Sequence, residues 1–203
     1  MNICILGLKR SGSTYLSCVL MQNDWTRKVI NEPFQDRLFQ KDKTPCDKII
    51  TSIRKESNQG GVILKEIHFY EPLVQRHIKM YKQVLKENFY VIKLIRENTF
   101  DRALSALIAH RTGVWNAFAN NDRPVEQFSI DPSLFLKTYK EEQGRLQMLK
   151  DFDVFDDVVT YEELHTLKRD YMPKEVDKTL LPVKLIKKKQ LITNYKELKT
   201  MIQ

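Results

Sequence analysis

The chain is short of cysteine, of long apolar runs and of acidic charge, and each shortage removes a class of protein. Three cysteines in 203 residues (Cys4, Cys18 and Cys46) are too few and too scattered for a disulfide framework or a metal cage. They read as reduced thiols, with Cys4 and Cys18 as core filler, and no metal ligand set is expected. No stretch approaches the roughly 18 consecutive apolar residues that a membrane span needs. The first apolar run begins at residue 2 or 3, which leaves no room for a targeting leader and predicts a cytoplasmic protein. Internal repeats and low-complexity tracts are also missing. Acidic residues number 26 against 34 Lys and Arg, a net charge of +8. That balance favours anionic partners, whether nucleotides, sulfated or phosphorylated sugars, nucleic acids or membrane surfaces, without choosing among them.

What is present suits one globular domain spanning residues 1–203. Apolar β-rich runs at Ile3–Leu6, 28–31, 62–68, 89–95 and 158–160 alternate with helical patterns at 13–22, 47–55, 71–87, 99–112 and 132–150. Asp131-Pro132 reads as an N-cap followed by proline at the first helical position. Asn194-x-x-Glu197 reads as a capping-box variant opening a last helix. The alternation predicts an α/β fold with a P-loop-like parallel sheet flanked by helices on both faces. Ligands of such sheets lie at the carboxyl ends of the strands. Three predicted strands end in polar clusters (Lys9/Arg10, Lys65 to His68, Arg96 to Asn98) that are expected to converge.

The most informative segment is Gly7-Leu8-Lys9-Arg10-Ser11-Gly12-Ser13-Thr14-Tyr15. A strand, a polar glycine turn and a helix start bring backbone N–H groups and a helix N-terminus around one anion. The spelling nearly fits the triphosphate loop G-x-x-x-x-G-K-[ST]. It fails after the second glycine, where Ser13 stands in place of the lysine that reaches the β- and γ-phosphates. The cations, Lys9 and Arg10, come earlier, at the mouth of the loop. A second anion grip is legible in Leu94-Ile95-Arg96, with Ser105 about two helical turns further on. Arginine offers a bidentate fork and serine a hydroxyl to one phosphate.

These segments together resemble sulfotransferases that use 3′-phosphoadenosine 5′-phosphosulfate (PAPS). The first turn resembles their 5′-phosphosulfate loop, and Arg96 with Ser105 their 3′-phosphate motif. Ser105 lies nine residues after Arg96, where the cytosolic animal enzymes usually have eight. The wording from Leu94 through Arg111-Thr112-Gly113-Val114-Trp115 looks most like the bacterial carbohydrate branch, typified by trehalose and nodulation-factor sulfotransferases. Asn31-Glu32-Pro33-Phe34 resembles the Glu-Pro-aromatic element near the acceptor hydroxyl. The 185–190 segment with Asn194-Tyr195-Lys196-Glu197 resembles the terminal loop whose basic residues close over the nucleotide. Residues 35–60 and 116–155 match nothing in that family.

The resemblance implies PAPS as donor, with no metal required. It implies a small-molecule or glycan hydroxyl as acceptor, such as a carbohydrate or glycolipid, with no nucleic acid and no membrane span. Lys9, Arg10, Ser11, Gly12, Ser13, Thr14 and Tyr15 would hold the 5′ end. Arg96 and Ser105 would hold the 3′-phosphate, and Lys188 and Lys189 would close over the nucleotide. Arg10 would meet charge on the departing phosphate. Glu32 is the leading base for the acceptor hydroxyl, and His68 is its rival. His68 and Lys65 are similar to the Lys-Thr-His element of cytosolic sulfotransferases, with the histidine offset by one residue; Lys65 would contact the sulfate or flank the cleft. His77 and His110 read as surface or packing residues, and Arg102 and Arg111 either line the nucleotide site or form a solvated basic helix face. Two other classes stay open: a small P-loop kinase, and a basic nucleic-acid-binding domain whose affinity would fall steeply with salt.

Overall fold

Successive side chains of a strand point to opposite faces, and in the first strand both faces are apolar. Ile3 and Ile5 join one core, Cys4 and Leu6 the other. A strand of this kind must be covered on both sides, which is the setting of a parallel sheet. The computed structural model describes residues 1–35, 44–113, 126–164, 166–178 and 188–203 and shows that sheet. Its strands are β1 (Ile3–Gly7), β2 (Lys28–Asn31), β3 (Val62–Glu66), β4 (Tyr90–Ile95) and β5 (Asp157–Thr160). They run parallel in the order β2-β3-β1-β4-β5.

The described helices are α1 (Ser13–Leu20), α2 (Cys46–Ser57), α3 (Pro72–Gln75), α4 (Ile78–Asn88), α5 (Thr99–Thr112), α6 (Pro132–Lys150), α7 (Lys188–Leu191) and α8 (Tyr195–Thr200). One face of the sheet packs on Ile50 and Ile53 of α2, Tyr81, Val84 and Leu85 of α4, and Leu146 and Leu149 of α6. The other packs on Leu16 and Leu20 of α1 together with Leu164 and Tyr171. A third core joins Phe100, Leu104 and Leu107 of α5 to Phe135, Leu191, Ile192 and Leu198. The α/β architecture expected from the pattern is therefore present.

Four local expectations change. The pattern at 71–87 forms two helices, because His77 (φ −111°, ψ 13°) leaves the helical region between them. β3 stops at Glu66, whose carboxylate accepts the His68 N–H and turns the chain. The Asn194 side chain does not cap α8. It brackets Ile130 instead, with Oδ1 accepting from Ile130 N at 3.1 Å and Nδ2 donating to Ile130 O at 2.9 Å. Cys18 is half-buried rather than core, whereas Cys4 and Cys46 are buried. No helix among the described residues is long and apolar enough to cross a membrane.

Candidate functional site

β1 cannot run on past Gly7, because the chain folds back on itself. Ser11 donates to Leu8 O from both N–H, at 3.2 Å, and Oγ, at 2.6 Å, so its hydroxyl serves the loop. Arg10 (φ 64°) and Gly12 (φ 89°) lie in the left-handed region. Glycine adopts that conformation freely; an arginine there is strained, a condition that clusters at functional sites. Gly12 is required by contact as well, since a Cβ would sit 2.5 Å from Leu164 Cδ1 and 2.9 Å from the Tyr161 ring. The α1 ladder opens with Leu16 N–H to Gly12 O at 3.1 Å. The N–H groups of Gly12, Ser13 and Thr14 precede that bond and carry the positive end of the helix dipole.

In this strand order the tips of β3, β1 and β4 are adjacent, so the three polar clusters meet. On the β4 side, Arg96 Nη1 donates to Arg10 O at 3.0 Å, and Nη2 lies 3.3 Å from Asp101 Oδ2. Its guanidinium stacks 4.1 Å from the centre of the Tyr161 ring. Tyr161 follows β5 in a turn ordered by a Thr160–Glu163 capping box. Burial, then the nearby Arg96 charge, lowers Arg10 below the ordinary arginine range. Lys188 of α7 docks here too, with Nζ 2.7 Å from Asp101 O and 3.5 Å from Asp101 Oδ1. Ser105 is buried about two turns into α5.

On the β2–β3 side, Glu32 ends β2 at φ 49°, a left-handed conformation just before Pro33. Its N–H donates to Lys65 O at 2.8 Å, fixing it beside β3. Lys65 Nζ reaches Glu32 Oε1 at 2.7 Å and donates to Thr14 Oγ1 at 3.1 Å. His68 Nε2 lies 3.6 Å from Glu32 Oε2. Burial pushes the Glu32 carboxyl up, but His68 and Lys65, facing its two oxygens, prevail and hold it at about 2. The His68 side chain is 1% exposed and that of Glu32 12%, so Glu32 is the member of the pair open to solvent. Beneath them Glu66 is fully buried, and burial raises its carboxyl to about 8.

Lys9 diverges from Arg10. Burial lowers its pKa, and the charges that act on it include Glu71, Arg145 and Glu32. Arg102 is not a surface residue. It is fully buried, pairs with Glu142 Oε2 at 2.8 Å and donates to Arg96 O at 3.5 Å. Tyr15 is half-buried beside the loop. Val114, Trp115, Lys187 and the side chain of Lys189 lie outside the described residues.

Reading the sequence missed Tyr161, Asp101 and Glu66. Thr160-x-x-Glu163 after β5 was a legible helix-start signal; nothing local marks Asp101 or Glu66. No protein-family model matches the chain, and no curated protein matches it significantly.

Proposed function

We propose that the protein is a PAPS-dependent sulfotransferase acting on a hydroxyl, with a carbohydrate or glycolipid as acceptor. The observation that carries the reading is the hydrogen bond from Arg96 Nη1 to the Arg10 carbonyl. It joins the two segments that the resemblance assigns to opposite ends of the donor. A further feature fits the donor: the buried Arg96 Nε has no acceptor among the described residues, and a phosphate oxygen would supply one. Bound here, PAPS supplies the sulfuryl group and the departing 5′-phosphate.

The chain's own residues do the rest. The Gly12, Ser13 and Thr14 N–H groups and Arg10 bind and orient the 5′ end, and Arg10 offsets charge on the leaving oxygen. Arg96 and Lys188 bind the 3′-phosphate. Glu32 takes the proton of the acceptor hydroxyl, while Lys65 and His68 fix its orientation. The same contacts hold Glu32 ionised, and they weaken it as a base. Sulfuryl transfer tolerates this, because positioning and charge carry most of the work. Against a kinase stands Ser13, where a lysine would be needed; transfer that persists in EDTA separates the two.

The decisive measurement is titration calorimetry with 3′-phosphoadenosine 5′-phosphate. The wild-type protein binds, and Arg10→Ala and Arg96→Ala each weaken binding by about tenfold or more, as loss of a charge-assisted hydrogen bond does. Glu32→Gln leaves binding intact and cuts transfer from radiolabelled PAPS to a panel of sugars and glycolipids by about 10²–10⁴-fold. Absence of wild-type binding overturns the assignment.

A further inference from the structure

We propose that Asp101 is an internal stand-in for the donor's 3′-phosphate and sets the selectivity of that subsite; the proposal rests on the sulfotransferase reading. Asp101 lies in the first turn of α5, where the helix dipole favours an anion. Its carboxylate spans the two cations assigned to the 3′-phosphate, with Arg96 Nη2 at 3.3 Å and Lys188 Nζ at 3.5 Å.

Neither cation depends on that carboxylate for its place. Arg96 is held by the Arg10 carbonyl and the Tyr161 ring. Lys188 donates to the Asp101 main-chain carbonyl at 2.7 Å. The helix cap is independent too, because Asn98 Oδ1 accepts the Asp101 N–H. The carboxylate therefore contributes charge to this subsite more than architecture. A 3′-phosphate must displace it, and a phosphate dianion, with more charge and three acceptor oxygens, does so, whereas a 3′-hydroxyl leaves the carboxylate on its cations. Asp101 thus offsets part of the affinity the site gains from a 3′-phosphate and sets how strongly it prefers nucleotides that carry one.

The test compares wild type with Asp101→Asn and Asp101→Glu by calorimetry. Removing the competing charge tightens 3′-phosphoadenosine 5′-phosphate by about threefold to tenfold, the range of a partly exposed ion pair. It leaves adenosine 5′-phosphate unchanged, and Asp101→Glu stays near wild type. A residue with a merely structural role would weaken binding when replaced. Unchanged or weaker binding in Asp101→Asn overturns the proposal. Should that variant not fold, Asp101→Ser takes its place. A wild-type protein that ignores the nucleotide sinks the donor reading. Inorganic phosphate then decides Asp101 by itself: a larger rise of Tm in Asp101→Asn than in wild type keeps the stand-in, and equal rises discard it.

Discussion

On the β2–β3 side of the strand tips, the charged groups come from two neighbouring strands and balance one another. Lys65 and His68 face the two oxygens of Glu32, and Glu66 below them keeps its proton at neutral pH. On the β4–β5 side the groups come from residues 10, 96, 101, 161 and 188. Arg96 and Lys188 both approach the Asp101 carboxylate, and Arg10 lies close enough to Arg96 to feel its charge. A balanced, buried cluster is suited to holding a carboxylate in one orientation and one protonation state. Clustered cations beside the first N–H groups of a helix are suited to an anion. The two sides differ in assembly as well: strand pairing alone builds the first, whereas the second needs pieces far apart in the sequence.

The largest blow to the second side is Arg102→Ala. Arg102 is fully buried against Glu142 and braces the Arg96 carbonyl. Removing it strips the buried Glu142 Oε2 of its ion pair while Arg145 stays on Oε1, which costs about 2–3 kcal/mol. Urea denaturation measures that loss. Replacing both partners, as in Arg102→Met with Glu142→Leu, recovers most of it, since no buried charge remains unmatched. A loss under about 1 kcal/mol in the single variant, the range of an exposed ion pair, would mean that Arg96 is not braced in this way.

The first side is broken by pH, and its two carboxylates respond with opposite sign. Glu32 titrates at about 2 in the folded chain, below its ordinary 4.5. Its contribution is complete above the unfolded value and disappears as pH falls from about 5 towards 2. The size is about 3 kcal/mol, from the displacement of its pKa from 4.5 to about 2. Glu66 titrates at about 8, above its ordinary 4.5. The folded state holds that proton more tightly, so stability falls as pH rises from about 5 to about 8, then levels. Thermal unfolding across pH 2–9 follows both. Glu66→Gln flattens the upper slope, and Glu32→Gln flattens the lower one. If neither variant changes the profile, the cluster is not the charge-balanced unit described.

Both behaviours bear on what could be read beforehand. Short, near-continuous apolar runs bounded by polar residues announced all five strands. The polar residues that close β1, β3 and β4 were legible because strand order alone brings parallel strand tips together. Lys65, His68 and Arg96 belong to that class, whereas Glu32, which follows β2, was legible through its place after the first helix and the Glu-Pro-aromatic resemblance. Tyr161 and Asp101 do not. Each acts on Arg96 through the way a loop or helix start docks in space, which no local pattern encodes. Arg102 misled for a related reason: a basic residue on a helix is solvated by default, and only Glu142, forty positions away, makes its burial affordable.

Asn194 misled in the same way, and it yields the smallest of these effects. Its spacing to Glu197 suggested a cap for α8, but its amide pairs with both main-chain groups of buried Ile130. That pairing ties the terminal segment to the chain ahead of α6, next to the parallel bridge between Phe128 and Ile192. Asn194→Ala leaves the Ile130 N–H and C=O without partners, at a cost of about 1–2 kcal/mol. Asn194→Asp keeps the acceptor for Ile130 N–H, loses the donor to Ile130 O and places a second carboxylate beside Glu197, so it falls between alanine and wild type. Because Lys188 sits one turn before this tie, hydrogen exchange at residues 188–193 should quicken in Asn194→Ala while exchange in β2 and β3 stays unchanged. Faster exchange on both sides would show that the two halves of the strand-tip surface are mechanically one, and the contrast between them would fail.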